Sequence, residues 1–211
     1  MKYIIHIIIC LFFVNGISAQ NATEIVDKAA AAYNNSNGLS ATFAIRTHSE
    51  QQNIAESFEG KINLKGDKFT LQTPDLLTWY DGSTQWTYMP RIDEVNVSTP
   101  TGEELQLTNP SILLNSYKKG FTAAYKGEST ATNGKAAYDV TLTPKKKTDI
   151  THVELQIEKY SGLPVSIVVR MKNGISNSIA ISQVKTEMNQ PDSFFVFNAT
   201  DYPDAEIIDL R

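Results

Sequence analysis

The sequence predicts a mainly β protein with short helices. The expected architecture is a single, incompletely closed antiparallel β-barrel (a strongly curved sheet) covered by an N-terminal helix and a short lid helix. Three observations carry this. Apolar and polar residues alternate with period two through most of the chain after residue 38, as half-buried strands require. An Asp-Gly pair between aromatic flanks, Asp81-Gly82, marks a hairpin near the middle. No composition break marks a linker, so about ten strands fall into one sheet.

In chain order, the first element reads as an export leader over residues 1–19. Lys2 supplies a positive charge, Ile4 to Val14 form an apolar run broken by His6, and Ile17-Ser18-Ala19 gives a small-residue cleavage site. The run is too short to span a bilayer, which takes roughly 20 residues. Cys10, the only cysteine, lies inside this run with Ile9 before it, which is not the context of a lipid-anchor cysteine. The expected mature protein, residues 20–211, therefore has no disulfide and no thiol chemistry, and is expected to be soluble after export and not lipid-anchored.

Asn21 is placed to cap the first helix, with Glu24 three residues on. Ile25, Ala29 and Tyr33 share one face of it, flanked by Val26 and Ala30, and Asn34 to Gly38 ends it. In the strand from Ile54 to Lys65, Ile54, Phe58, Ile62 and Leu64 point one way, and Ser57, Glu59, Lys61, Asn63 and Lys65 the other. Phe69 and Leu71 continue after a Gly66-Asp67 turn. Asp81-Gly82 reads as a two-residue type I′ turn pairing Tyr80 with Ser83, so that Leu77, Trp79, Trp86 and Tyr88 share a face. Asn109 and Pro110 are placed to start a second helix carrying Ile112, Leu113 and Leu114, which has to lie against the concave face. Further alternation covers Val153 to Ile157, Val165 to Val169, and Ile179 with Ile181.

Charge and motifs exclude several functions. Removing Lys2 with the leader takes the formal net charge from −4 to −5, a poor match to phosphate backbones, so no nucleic acid is expected. Lys145-Lys146-Lys147 reads as a solvated loop. His48 and His152 fall on the polar phase of their strands. Neither a paired-histidine metal motif nor a Gly-x-Ser-x-Gly elbow occurs, and the segment Gly127 to Lys135 has the wrong spacing for a phosphate loop. The acidic pairs Asp93-Glu94 and Glu103-Glu104 do not present two carboxylates on one strand face. The residues predict no enzyme, no metal and no cofactor.

The order of landmarks resembles the periplasmic outer-membrane lipoprotein carrier family, the LolA-type chaperones. The matching pieces are the first helix, Leu39 to Thr47, Gly60 to Leu64 leading to Phe69, and Asp81-Gly82 with Trp86 and Tyr88. Then come Asn109 to Leu114, Pro144, Phe194 to Phe197, Pro203 and Ile207-Ile208-Asp209. The resemblance implies an open barrel with a helical lid. Its cargo would be acylated lipoproteins, taken from an inner-membrane lipoprotein-releasing ABC transporter and delivered to an outer-membrane acceptor. A monomer is expected. The resemblance and the alternation together propose a cavity of Phe43, Phe58, Ile62, Leu64, Phe69, Trp79 and Trp86, with Ile112, Leu113 and Leu114 as lid. Family members commonly carry an Arg-Pro pair before the phenylalanine matching Phe69, and that arginine helps hold the lid shut. Here the stretch is Lys65-Gly66-Asp67-Lys68, and Lys65 is the nearest cation to act as latch. Two other uses of the same fold stay open: an envelope sensor or regulatory binding module, and a carrier of other lipids.

Overall fold

The computed structural model describes residues 14–49, 51–102, 104–105 and 110–211. Twelve strands form one open sheet, two more than the sequence suggested. They are β1 (Leu39–Ser49), β2 (Ile54–Lys65), β3 (Lys68–Gln72), β4 (Leu77–Tyr80), β5 (Gln85–Met89), β6 (Glu94–Ser98), β7 (Phe121–Thr130), β8 (Ala136–Pro144), β9 (Ile150–Glu158), β10 (Pro164–Met171), β11 (Ser176–Thr186) and β12 (Glu206–Asp209). The order across the sheet is β12-β6-β5-β4-β3-β2-β1-β11-β10-β9-β8-β7. Every paired neighbour is antiparallel except β12, which lies parallel to β6 with Ile207 beside Val95. Two meanders, β1 to β6 and β7 to β11, are joined where β1 pairs with β11.

Two helices with core residues lie on the sheet: α1 (Val14–Asn34) and α2 (Pro110–Gly120). The helix expected to start at an Asn21 cap instead begins at Val14, so Asn21 is an interior residue. Glu24, expected in a capping box, pairs with Lys28 one turn on at 2.7 Å. The helix ends as the sequence predicts, with Asn37 and Gly38 both at positive φ. Asn109, expected to cap α2, lies outside the described residues, as do the leader residues 1–13.

Spacing of apolar residues along α1 explains how one helix serves two cores. Ala22, Val26 and Ala29 are buried against Val140, Leu142, Val153, Leu155 and Ile157 of β8 and β9, together with Leu113, Leu114 and Tyr117 of α2. One turn further on, Tyr33 joins a second core of Leu39, Ala41, Phe43, Ile62, Leu64, Phe69 and Tyr80. The Tyr33 hydroxyl donates to Gly66 O at 2.8 Å, which ties the helix end to the β2–β3 turn. In turn α2 is bound to α1. The Tyr117 hydroxyl donates to Thr23 O and reaches Asp27 Oδ1, both at 3.2 Å, and Lys118 pairs with Asp27 at 2.7 Å.

The central hairpin differs from its prediction. Tyr80 pairs with Gln85 and Trp79 with Trp86, so the connection has four residues, Asp81 to Thr84, and not two. The Asp81 carboxylate explains this: its Oδ1 accepts from the backbone N–H of Ser83 and of Thr84, both at 2.8 Å, and so closes the turn itself. The slip is two residues, an even number, so Leu77, Trp79, Trp86 and Tyr88 still share a face.

Which face they share is the larger correction. In β3 and β4, Phe69 pairs with Tyr80 and Thr70 with Trp79. Phe69 and Tyr80 therefore turn inward, and Trp79 lies outside with Lys61 and Asn63. From β4 to β6 the concave side becomes polar, with Thr78, Gln85 and Thr87 on it. The convex side becomes apolar because the C-terminal segment covers it. Phe197 and Tyr202 pack on Trp79 with ring centroids at 5.5 and 5.7 Å, and Tyr202 reaches Tyr88 at 4.6 Å. Beneath them Val95 and Val97 are buried.

Candidate functional site

The concave face of the long strands holds a cavity of about 370 Å³. Its floor is Leu39, Ala41, Phe43 and Ile45 of β1, Phe58, Ile62 and Leu64 of β2, and Ile179 and Ile181 of β11. Alternation brings these together, since each strand sends every second side chain to this face. Tyr33 of α1, Leu114 of α2 and Leu163 close it, and it reaches the surface beside Phe58, Asp75 and Val184. Phe58 and Val184 are 40% and 37% exposed, large values for apolar side chains, whereas Phe43 is 8% exposed. Thr73 and Asp75 are polar exceptions in a lining that is otherwise almost wholly apolar.

One glycine shapes the floor. Gly60 lies opposite Phe43, and a Cβ there would stand 2.4 Å from Phe43 Cζ and 2.4 Å from Gln72 O. The missing side chain is what lets the Phe43 ring lie flat on β2, edge-on to Phe58 at 6.4 Å. Sequence reasoning used Gly60 as a landmark and gave it no role; a glycine inside a strand pattern is the signal that could have found it.

The proposed cavity residues divide. Phe43, Phe58, Ile62 and Leu64 lie in the lining. Phe69 does not: it is fully buried against Tyr80, ring centroids 5.3 Å apart, at the end of the sheet that Tyr33 closes. Trp79 and Trp86 are on the convex face, for the reason given above. Of the lid residues, Leu114 lines the cavity, Ile112 packs on the cavity-side core and Leu113 is buried under α1. Lining residues from β11 and the β9–β10 turn were missed, because their alternation looks like that of any half-buried strand.

Lys65 does not hold the lid helix. Its ammonium donates to Gln190 O at 2.7 Å and to Asp192 Oδ1 at 3.0 Å, and Lys68 pairs with the other Asp192 oxygen at 2.6 Å. As an odd-numbered residue of β2, Lys65 points outward, so the segment within its reach is the C-terminal one. The hydrogen bonds and charges of Lys68 and Lys65 hold the Asp192 carboxyl down at about 2. Next to it, Phe195 is fully buried.

Other polar groups are accounted for by structure. Glu104 and Thr101 form a reciprocal cap, with the Thr101 N–H donating to Glu104 at 2.7 Å, and that bond lowers the Glu104 pKa. Asp93 accepts from the Tyr88 hydroxyl at 2.9 Å; Glu103 lies outside the described residues. His152 and Arg170 both engage Glu154; burial would raise that carboxyl, but the two partners hold it low. A wider cleft of about 720 Å³ under the C-terminal segment has a mixed lining that includes Lys61, Asn63, Gln72 and Asp201. Among the described residues no group of three or more His, Cys, Asp or Glu is placed to hold a metal ion, and no helix is long and apolar enough to cross a membrane.

An open antiparallel sheet whose concave side holds an apolar cavity under two helices defines a class: proteins built to hold an apolar ligand. The chain matches the family described as outer membrane lipoprotein carrier protein LolA over residues 13–175, and it belongs to that family. Its members are binding and carrier proteins. Among curated proteins it is 24% identical over 201 residues to an uncharacterized protein of Methanocaldococcus jannaschii. That match takes in 93% of this chain but only 58% of the longer relative. Among solved structures, an uncharacterized conserved protein from Thermus thermophilus superposes with a TM-score of 0.62 at 15% identity, over 90% of this chain and 99% of the other. A DUF1329 family protein from Desulfovibrio piger gives 0.51 at 13% identity, over 86% and 98%. LprF from Mycobacterium bovis gives 0.50 at 13%, over 79% and 94%. At these identities the likenesses speak for the fold alone.

Proposed function

We propose that the chain is a periplasmic carrier that shelters the acyl chains of lipoproteins in the concave cavity and moves them from the inner to the outer membrane. The leader over residues 1–19 would export it, and the mature protein would travel unanchored. The observation that carries this reading is the cavity itself. It is lined almost wholly by apolar side chains, is about 370 Å³ in volume, and reaches the surface beside exposed Phe58 and Val184. Each CH₂ moved from water into it gains about 0.8 kcal/mol, so a single long chain supplies enough to hold the cargo. Leu114 sits on the cavity from α2, and displacing it exchanges an internal apolar contact for a ligand contact of the same kind. Such an exchange is nearly balanced in free energy. Direction would then be set by the relative affinities of a donor transporter and an outer-membrane acceptor.

The test is saturable uptake of a fluorescent fatty-acid probe and of an acylated peptide by the purified protein. Native mass spectrometry of material from the periplasm would identify what is bound. An acylated polypeptide supports the shuttle, and a free lipid points to a general lipid carrier. Absence of binding to either probe overturns both.

A further inference from the structure

The strands flanking the cavity differ in length, and the difference leaves a step in the sheet. β2 has twelve residues, but β3 pairs only with Lys61 to Lys65 of it. At Gln72, opposite Lys61, the chain leaves the sheet in a tight turn, with the Thr73 N–H donating to Leu76 O at 2.9 Å. The remaining seven residues, Ile54 to Gly60, pair with β1 on one side. Among the described residues, no strand pairs with them on the other. Ladder bonds alternate along a strand, so every second residue here turns its N–H and C=O outward. Glu56 and Glu59 are exposed there, charges of the kind that keep a bare edge from pairing with its own copies.

This edge adjoins the cavity. Phe58, on the bare stretch, lines it, and so do Thr73, Asp75 and Leu76, the residues that take β3 out of the sheet. The other two sheet edges do not share this. β12 has four residues on the far side of β6, and β7 is bulged between Tyr125 and Gly127 at the opposite end.

We propose that the bare edge of β2 binds the polypeptide that follows the acyl group of the cargo, as an added antiparallel strand. This rests on the carrier reading of the cavity and says how the same site would hold the protein part. The direction follows from the step. β3 runs antiparallel to β2 and stops opposite Lys61. A peptide continuing in its place has its N-terminal end at the Gln72 gap, where an attached acyl chain drops into the cavity, and runs out past Glu59 and Ser57 toward Ile54. Main-chain pairing is indifferent to side chains, which suits a carrier of many different lipoproteins.

The test uses the full-length exported protein and three probes. These are the amide of a sixteen-carbon fatty acid, the same acyl group on the N-terminus of a Ser/Asn/Gly heptapeptide, and that acyl-peptide N-methylated at alternate residues in either phase. The acyl-heptapeptide is expected to bind at least about tenfold more tightly than the amide. The gain should grow with peptide length up to about seven residues, at ~3.4 Å of edge per residue, and then stop. One N-methylation phase should abolish it, and the acyl-peptide alone should slow hydrogen exchange at residues 54–60. An acyl-peptide no tighter than the amide, or equal binding of both methylated forms and the parent, overturns the added strand and leaves the carrier reading standing. Failure of all three probes to bind removes the carrier reading, and this one with it.

Discussion

Gly60→Ala is the sharpest perturbation the cavity offers. The new methyl would stand 2.4 Å from the Phe43 ring and 2.4 Å from the carbonyl oxygen of Gln72, where carbon contacts want about 3.5–4.0 Å. Both neighbours must give by about an ångström. The ring can swing only toward Phe58 or into the cavity, and the oxygen belongs to the last residue of β3, paired with Lys61. Overpacking of this kind costs about 1–3 kcal/mol. Against it, a strand glycine replaced by alanine gains about 0.5–1 kcal/mol from a less flexible unfolded chain. The net is a destabilisation of up to about 2.5 kcal/mol, a fall in Tm of up to roughly 10 °C for a domain of this size. Because the displaced ring takes up cavity space, affinity for an acyl probe falls as well. Thermal unfolding and probe titration read the two effects. Adding Phe43→Leu should recover part of both losses, since it relieves the ring contact and leaves the Gln72 contact. A Gly60→Ala protein with unchanged Tm and undiminished probe affinity would refute the account of the cavity floor.

Three further outcomes are expected. Phe58→Ala should change stability by less than about 1 kcal/mol but weaken acyl-probe binding, whereas Phe43→Ala, at a buried site, should cost about 3 kcal/mol, both read by urea unfolding. Asp192 has a folded pKa of about 2 against an ordinary 3.8, so the stability it supplies is present above about pH 4 and lost as pH falls toward 2. The C-terminal segment should loosen in that window, reported by tryptophan fluorescence, and Asp192→Asn should reduce the acid step to the share left by Asp209, which Arg211 also holds at about 2. Tyr117, raised by burial to about 12, supplies stability present below pH 10 and lost between 10 and 12. Tyr117→Phe should shrink that alkaline step in a circular-dichroism titration, leaving the smaller share of Tyr80, Tyr88 and Tyr202, whose pKa values are also raised, and cost about 1 kcal/mol at neutral pH.

The floor of the cavity was legible because a strand half-buried on one face writes its burial into every second residue. Phe58, Ile62 and Leu64 could be assigned to one side of β2 from the sequence alone. The two tryptophans could not, because the rule that the apolar side is the concave side holds only while nothing covers the other side. Leu77, Trp79, Trp86 and Tyr88 do share a face, as read. That face is outside because residues 192–209 return to cover it, a contact between segments more than a hundred residues apart. The four-residue turn at Asp81 was hidden for a local reason: an Asp-Gly pair serves a two-residue turn equally well, and the choice depends on which backbone N–H the carboxylate accepts. Lys65 was read as the cation nearest to a latch for the lid, and its actual partner, Asp192, has no pattern that marks it.

The seam between β1 and β11 has a consequence for how the molecule forms. Within each meander, neighbours in the sheet are neighbours in sequence, so those pairings close short loops and assemble quickly. Leu39 and Thr186, by contrast, meet across more than a hundred residues of intervening chain. Zipping that seam is expected to be the slow event, and before it the two halves would present Phe43, Ile62, Ile179 and Ile181 to water. The vessel and its sticky interior are thus made in the wrong order for safety. During that interval the nascent protein is itself a client for whatever holds unfolded chains in its compartment, and its yield should depend on that help more steeply than its final stability does.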